Sequence, residues 1–152
     1  MVTPVDRFSV AGRTACVTGA SGGLGRQCAD ALAAAGAAVI GVARREAELA
    51  DWAASGTGKR AYIAADLMDE AGLEALCDEI VAPFGAPDIL VHAAGVNLRQ
   101  PADEVTAEGW QQTLWLNLTV PFLLGQKLVP HMKQRRWGRI VNFASVQSSR
   151  AF

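Results

Sequence analysis

Short apolar runs, rich in β-branched residues, alternate along the chain with longer segments whose apolar residues recur at helical spacing. Five runs predict β-strands, at residues 14–18, 38–42, 61–65, 89–92 and 139–143. The segments between them predict helices, at residues 24–35, 46–54, 69–81 and 107–134. In the first helix, Leu24, Cys28 and Leu32 are expected to share the packing face, and Gly36 to cap the end.

The order of these elements indicates the fold class. Strands that alternate with helices at this spacing form βαβ units, which give a parallel sheet with right-handed crossovers. Several strands are almost wholly apolar, as expected when helices cover both faces of the sheet. One face of the third helix is apolar as well, through Leu73, Leu76, Cys77 and Ile80. We therefore predict a single α/β domain with a doubly wound parallel sheet over residues 1–152.

Composition narrows the range of partners. The 152-residue chain is 51% hydrophobic and has a formal net charge of −1, which is ordinary for a globular protein. This charge gives no electrostatic reason to expect nucleic acid or a membrane surface as a partner, and no apolar stretch approaches the uninterrupted length of a membrane span. The cysteines at 16, 28 and 77 are widely spaced, which favours free thiols over a metal site and makes the cytoplasm the expected compartment.

A glycine-rich segment joins the first strand to the first helix, and it reads Thr18-Gly19-Ala20-Ser21-Gly22-Gly23-Leu24-Gly25. Glycines let the backbone approach a phosphate closely, and a helix N-terminus offers unpaired N–H groups and a positive dipole end. The segment therefore predicts a cradle for a dinucleotide diphosphate. Its spacing differs from G-x-G-x-x-G, and the absence of a following Lys-Ser or Lys-Thr excludes a P-loop. A plain tight turn is the alternative.

Four further segments follow in the order of one enzyme family. They are Ala65-Asp66-Leu67, His92-Ala93-Ala94-Gly95, Leu116-Asn117-Leu118-Thr119 and Gly138-Arg139-Ile140-Val141-Asn142-Phe143-Ala144-Ser145. With the glycine-rich segment they resemble the motifs of the classical short-chain dehydrogenase/reductase family over nearly the whole chain. The resemblance implies a Rossmann-type sheet and an NAD(P)-dependent oxidoreductase, similar to the gluconate-type and deoxygluconate-type dehydrogenases.

The resemblance also implies which residues bind the cofactor. They are Gly19, Ser21, Gly22, Gly23, Leu24, Gly25, Arg44, Asp66, Leu67, Ala93, Ala94 and Gly95. Asp66 would meet the adenine amino group, and its alternative role is to cap the N-terminus of the next helix. His92 stands where the family usually has asparagine. We expect it to be a buried histidine with satisfied hydrogen bonds rather than a catalytic group.

The end of the second strand favours NADP over NAD. An acidic residue there would bind the ribose hydroxyls of NAD, whereas this chain has Ala43 followed by Arg44 and Arg45. A charge-assisted contact from Arg44 to a 2′-phosphate would contribute about 1.5–3 kcal/mol. In the alternative, both arginines simply begin a solvated helix and pair with Glu46 or Glu48.

Ser145 and Asn117 are the catalytic residues that the resemblance implies. Ser145 follows the fifth strand, at the edge where open α/β sheets bind ligands, and would orient the substrate oxygen. Asn117 would hold a water molecule of a proton relay. Ser148 and Ser149 are nearby alternatives to Ser145.

Two features expected of the family, a catalytic tyrosine with its lysine and a helix after the fifth strand, are not found in the sequence, and this sets the expected extent of the domain. The family's catalytic tyrosine is followed four residues later by a lysine, but Tyr62, the one tyrosine here, is on the third strand. No helix follows the fifth strand to cover it, so an edge and a face would be exposed. We therefore expect a domain truncated before the Tyr-x-x-x-Lys segment, with its C-terminal strands and helices missing. Such a chain would be inactive alone, although the full-length protein would be an enzyme.

The expected substrate is a small carbonyl or alcohol compound, possible examples being a sugar acid or a polyol. Arg99 and Arg150 lie in segments that resemble gluconate-type enzymes, and either one could pair with a substrate carboxylate or be a solvated loop residue. Two other functions stay open. One is a sugar-nucleotide epimerase of the extended branch of the superfamily, and the other is a catalytically inactive cofactor-binding fragment.

The helix at residues 107–134 is apolar on more than one side, through Trp110, Trp115, Leu116, Leu118, Phe122, Leu123 and Leu124. Packing on one face of a sheet does not need this much apolar surface, which predicts a partner subunit. The family resemblance implies a dimer or tetramer formed through this helix.

Overall fold

Strands and helices alternate along residues 8–146, the part of the chain that the computed structural model describes. The elements are β1 Thr14–Thr18, α1 Gly23–Ala34, β2 Ala38–Ala43, α2 Glu46–Ser55, β3 Arg60–Ala64, α3 Leu73–Val81, β4 Ile89–His92, α4 Ala107–Leu114, α5 Val120–Arg135 and β5 Arg139–Asn142. A short 3-10 helix, Ala102–Glu104, precedes α4, and a π-helical turn, Trp115–Thr119, joins α4 to α5.

The five strands form one parallel sheet in the order β3-β2-β1-β4-β5. The chain runs outward from β1 to β3 and then returns to place β4 on the other side of β1. This reversal of direction leaves a crevice beyond the carboxyl ends of β1 and β4, where sheets of this type bind ligands. The predicted Rossmann-type, doubly wound α/β sheet is confirmed.

Each face of the sheet is covered by helices, because successive strand residues point to opposite sides. Residues from β1, β2 and β4 pack on one face with α1 and α2, among them Val17, Val39, Val91, Leu49 and Trp52. The alternate strand residues pack on the other face with α3 and α5, among them Cys16, Ile40, Leu90, Ile80 and Leu124. The sheet is therefore buried on both sides at its centre, which explains the nearly continuous apolar runs in the sequence.

Helix α1 packs through small residues, one position later than the sequence pattern predicted. Its buried residues are Gly25, Ala29 and Ala33. Leu24 is 61% exposed, so its predicted place on the packing face is wrong, whereas Cys28 and Leu32 are partly buried and pack against the core. Small side chains on this face bring the helix close to the sheet, and the larger residues are left at the rim.

Most element boundaries agree with prediction to within one residue, but two helices differ further, and both of these differences lie near the carboxyl edge of the sheet. Helix α3 begins at Leu73 instead of residue 69, because the preceding residues form turns, with the N–H of Asp69 bonded to the carbonyl of Asp66. The helix predicted at 107–134 is continuous to Arg135 but contains the π-helical turn. Gly36, with φ 88°, follows the C-cap residue Ala35 and closes α1 as expected.

Candidate cofactor-binding site

A cavity of about 350 Å³ opens at the carboxyl edge of the sheet, a size typical of small-molecule sites. It is lined by Gly19, Ser21, Ala43, Arg44, Arg45, Ala65, Asp66, Leu67, Met68, Ala93, Ala94, Gly95 and Leu116. Apart from Leu116, these residues follow the ends of β1, β2, β3 and β4, the strands nearest the reversal in strand order. Of the predicted cofactor-binding residues, Gly22, Gly23, Leu24 and Gly25 are not in the lining but form the adjacent turn and the first turn of α1.

Gly19 allows two walls of this cavity to touch. Its φ is 73°, and a Cβ there would lie 2.8 Å from the amide nitrogen of Ala94, closer than real Cβ atoms approach. The hydroxyl of Thr18 accepts a hydrogen bond from the same Ala94 N–H at 3.2 Å. Sequence reasoning placed Thr18 at the end of the strand and in the glycine-rich segment, but gave its hydroxyl no role. A hydroxyl at the last strand position before the glycines was the available signal for this role.

The N–H groups of the glycine-rich segment divide into two sets. Those of Gly19 and Ala20 both donate to the carbonyl of Val42, at 2.8 and 3.4 Å. Those of residues 21–25 have no acceptor among residues 8–146, and α1 begins without a side-chain cap. Free amides at the positive end of a helix dipole, beside a cavity, are suited to binding a phosphate. The geometry of the turn therefore fits a dinucleotide diphosphate.

The two arginines after β2 differ in their contacts. The Nε of Arg45 donates to the Oγ of Ser21 at 3.2 Å, and its Nη1 forms an ion pair with Glu48 at 3.2 Å. Arg44 lines the cavity and has no ion pair within the described range. The alternative in which both arginines pair with helix carboxylates is therefore wrong for Arg44 and correct for Arg45, which the sequence analysis did not place in the site.

Asp66 and Leu67 form the wall on the β3 side. The Oδ1 of Asp66 accepts a hydrogen bond from the N–H of Met68 at 3.0 Å, which stabilises a local turn. Because α3 begins only at Leu73, the alternative role of Asp66 as its N-cap is wrong. The buried Leu67 accepts a hydrogen bond through its carbonyl from the indole Nε1 of Trp115 at 2.9 Å. The π-helical turn is thereby attached to this wall.

Asn117 fixes the segment that follows Gly95. Its Oδ1 accepts a hydrogen bond from the N–H of Val96 at 2.9 Å, and its Nδ2 donates to the carbonyl of Val96 at 2.7 Å. A Cβ at Gly95 would lie 3.2 Å from the same Oδ1, so a small residue fits best there. The side-chain amide thus has a positioning role in this structure. That Asn117 holds a catalytic water stays a prediction.

Ser145 lies outside the lining of the first cavity, in an open groove next to it. The groove is formed by Asn97, Leu98, Arg99, Gln100, Pro101, Ser145 and Val146. The chain connects the two directly, since Gly95 lines the cavity and Asn97 lines the groove. The structure thus brings Ser145 and Arg99 together beside the first cavity. Ser148, Ser149 and Arg150 lie outside the described residues.

His92 is buried, with 5% of its surface exposed, but its hydrogen bonds are not satisfied. Neither ring nitrogen has a partner among residues 8–146, so the expectation of a satisfied histidine is wrong. The residue ends β4 between Thr18 of β1 and Asn142 of β5, with which it is in register. Burial lowers the pKa of His92 below its ordinary value of 6.5, which favours the neutral imidazole.

The remaining titratable residues give no sign of a second reactive centre in the described part of the chain. No group of three or more His, Cys, Asp or Glu residues there could hold a metal ion. The three cysteines are free, and burial raises the pKa of Cys16 to about 12, so this thiol stays protonated. No helix between residues 8 and 146 is both long and apolar enough to span a membrane.

The sheet is parallel in this order, and it has a glycine-rich turn and a ligand-sized cavity at the point where the order reverses. These features define the Rossmann class of α/β domains. Residues 13–152 match the family model described as short chain dehydrogenase, and the chain belongs to that family.

Two curated dehydrogenases are similar to this chain over most of its length. The D-threitol dehydrogenase of Mycolicibacterium smegmatis is 38% identical over 141 residues, which cover 91% of this chain and 54% of that enzyme. The gluconate 5-dehydrogenase of Gluconobacter oxydans is 38% identical over 152 residues, or 96% of this chain and 58% of that enzyme. This chain therefore spans little more than half the length of these curated relatives.

A solved structure shows the same architecture. The gluconate 5-dehydrogenase of Burkholderia cenocepacia, in complex with NADP and tartrate, matches with a TM-score of 0.85 and 34% identity. The match covers 99% of this chain and 60% of that one.

The buried histidine generates a prediction for stability against pH. Because the folded pKa lies below the unfolded one, the unfolded chain binds the proton more readily, and the free energy of unfolding falls as pH drops through 6.5. Replacement of His92 by Asn should make this loss of stability between about pH 7.5 and 5.5 smaller than in the wild type. Urea unfolding of the intact protein at both pH values measures this. His131→Asn, on the exposed side of α5, is the control for the substitution itself. Equal losses in the wild type and His92→Asn would contradict the prediction.

Proposed function

We propose that this chain forms the cofactor-binding part of an NADP-dependent oxidoreductase. The enzyme would transfer a hydride between the nicotinamide and a secondary alcohol or ketone, such as that of a sugar acid or polyol. The observation that carries the proposal is the row of amides at residues 21–25 that have no acceptor within residues 8–146, beside a cavity lined by Arg44, Asp66 and Ala94 among others.

Each part of the cofactor has residues of suitable chemistry. The amides of residues 21–25 would hold the diphosphate, and the small residues 93–95 would lie against the nicotinamide ribose. Asp66 and Leu67 would contact the adenine. The guanidinium of Arg44, which has no ion pair in the described part of the chain, would bind the 2′-phosphate of NADP. The NADP bound by the Burkholderia relative supports this choice of cofactor over NAD.

The chemistry at the reacting end requires groups that stabilise charge on the substrate oxygen. When bound, the nicotinamide would supply or accept a hydride at the substrate carbon. The Ser145 hydroxyl would donate a hydrogen bond to the substrate oxygen, where negative charge develops. Asn117 would hold the segment after Gly95 in place and carry a water of the proton relay. The proton itself needs a titratable donor, for which the family uses a tyrosine and a lysine. The proposed activity therefore belongs to a protein that supplies both.

The groove beside Ser145 supports an acidic substrate. Arg99 lines the same groove. A substrate whose hydroxyl or carbonyl contacts Ser145 would therefore have its other end near the positive charge of Arg99. A sugar acid has this combination of groups. The names of the gluconate 5-dehydrogenase relatives, and the tartrate in one of them, agree with a hydroxylated acid. The D-threitol dehydrogenase relative agrees with a neutral polyol.

The proposed assembly is a dimer or tetramer formed through α4 and α5. Trp110, Leu118 and Phe122 are 56%, 64% and 65% exposed, which leaves an apolar strip along these helices. The other members of the predicted apolar set, Trp115, Leu116, Leu123 and Leu124, belong instead to the core of the subunit. A partner subunit would cover the strip.

The compartment and the alternative functions complete the proposal. We place the protein in the cytoplasm, since the free cysteines suit a reducing environment.

The epimerase and the inactive cofactor-binding fragment gain no support from the relatives named above, which are dehydrogenases.

Replacement of Arg44 tests whether the site recognises the 2′-phosphate of NADP. Arg44→Met should weaken NADP binding by about tenfold or more, because a charge-assisted phosphate contact is lost, and should leave NAD binding unchanged. Calorimetric titration of the intact protein with both dinucleotides measures this. Lys59→Met removes an exposed cation at the opposite edge of the sheet and should change neither affinity. An equal loss for NAD and NADP would refute 2′-phosphate recognition.

Replacement of Ser145 tests the reaction. Ser145→Ala should lower kcat for a sugar-acid substrate by about 10²–10³-fold, since a hydrogen bond to the developing oxyanion is lost, with NADP affinity unchanged. Nicotinamide absorbance in assays of the intact protein gives kcat. Ser55→Ala, at the exposed end of α2, should behave as the wild type. A Ser145→Ala variant with undiminished kcat would exclude this serine from catalysis.

Replacement of Trp110 tests the assembly. Trp110→Glu should dissociate the oligomer of the intact protein, because a buried charge would be left without a partner in the interface. Light scattering reports the mass. Phe8→Glu places the same charge on a residue that is 85% exposed outside α4 and α5, and it should leave the mass unchanged. An unaltered mass for Trp110→Glu would exclude this interface.

A further inference from the structure

Arg45 is held at the mouth of the cofactor cavity by contacts on two sides. Its Nε donates to the Oγ of Ser21, which ties it to the glycine-rich turn. Its Nη1 lies 3.2 Å from the Oε1 of Glu48, three residues further along the first turn of α2. Arg45 and Ser21 both line the cavity, whereas Glu48 stands behind Arg45 and is not part of the lining.

Gly22 leaves room for this guanidinium. A Cβ at Gly22 would lie 2.8 Å from the Nη2 of Arg45, so a side chain there would displace it. The backbone at Gly22, with φ −178° and ψ −179°, is extended and does not itself require glycine. The Nη2 group donates to no acceptor within residues 8–146, and so it is available to a ligand.

The two arginines at the cavity mouth differ in whether a carboxylate offsets their charge. Arg44 has no carboxylate partner in the described part of the chain, whereas the charge of Arg45 is offset by Glu48. The side chains of Arg45 and Glu48 are 58% and 42% exposed, so water screens their ion pair. A phosphate can bond the Nη2 of Arg45, which has no acceptor within residues 8–146, but the Glu48 carboxylate offsets the positive charge of Arg45 and so weakens its attraction for the phosphate.

We infer that Glu48 is a specificity-determining residue that acts through Arg45. By pairing with the guanidinium, it restrains Arg45 and lowers the affinity of the site for a 2′-phosphate, and hence for NADP. NAD has a hydroxyl at this position, so its affinity is insensitive to Glu48. Glu48 is a positioning residue, since it reaches the cofactor only through Arg45. The inference rests on the proposed NADP binding. Within it, Glu48 sets how strongly NADP is preferred over NAD.

Glu48→Gln separates the two cofactors. In the intact protein it removes the competing charge while it keeps the size of the side chain. The Kd for NADP should fall by about three- to fivefold at low ionic strength, and the Kd for NAD should not change. The gain should shrink at about 0.5 M salt, where exposed charges are screened. Calorimetric titration gives both constants. Glu48→Ala, which keeps a good helix former in α2, provides a second variant.

Two further variants show whether Glu48 acts through Arg45. Glu46→Gln makes the same charge change in the same first turn, but Glu46 has no arginine partner among the described residues, so NADP affinity should stay at the wild-type value. In an Arg45→Gln background, the gain from Glu48→Gln should disappear.

The possible failures are distinguishable. If the wild type binds NADP but Glu48→Gln binds it no better than Glu46→Gln does, the inference is overturned and the proposed function stands. A gain that persists in the Arg45→Gln background also overturns it, because Glu48 would then act by direct repulsion. A wild-type protein that binds neither dinucleotide overturns the proposed function and the inference together.

Discussion

The close contact between Gly19 and the Ala93–Ala94 peptide is the constraint on which the candidate site depends. With no side chain at Gly19, the end of β1 lies directly against the segment that follows β4, and the Thr18 hydroxyl completes the contact. This contact brings the turn with the free amides next to the wall formed by residues 93–95. A larger residue at Gly19 would separate the amides from that wall, even if every strand kept its place in the sheet.

The sheet was predictable because its information is local. The apolar run at residues 89–92 coincides with β4, and strands that alternate with helices form right-handed parallel crossovers, although these do not by themselves fix the strand order. The packing face of α1 was not predictable from hydrophobicity, which ranks Leu24 above Ala29. The sheet selects small side chains for close approach, and that depends on the distance between elements rather than on the sequence of the helix. The π-helical turn was missed because the apolar pattern passes through it without a break.

The site was predictable where a residue's place follows from a strand end. Ser21, Arg44 and Asp66 line the cavity because each comes within three residues of the end of a strand, and these strands end at the same edge. Arg45 was missed because its place depends on the reach of a long side chain to Ser21. The unsatisfied state of His92 was missed as well, since sequence identifies a buried histidine but not which acceptors surround it.

The π-helical turn holds two parts of the cleft at once, since Trp115 bonds the wall at Leu67 and Asn117 bonds the backbone of Val96. Each residue of a helix advances its side chains by about 100° around the axis. Loss of one residue from this turn would restore a regular helix but swing one of the two anchors away from its partner. The wide turn therefore acts as a spacer that holds the wall at Leu67 and the segment at Val96 at a fixed separation.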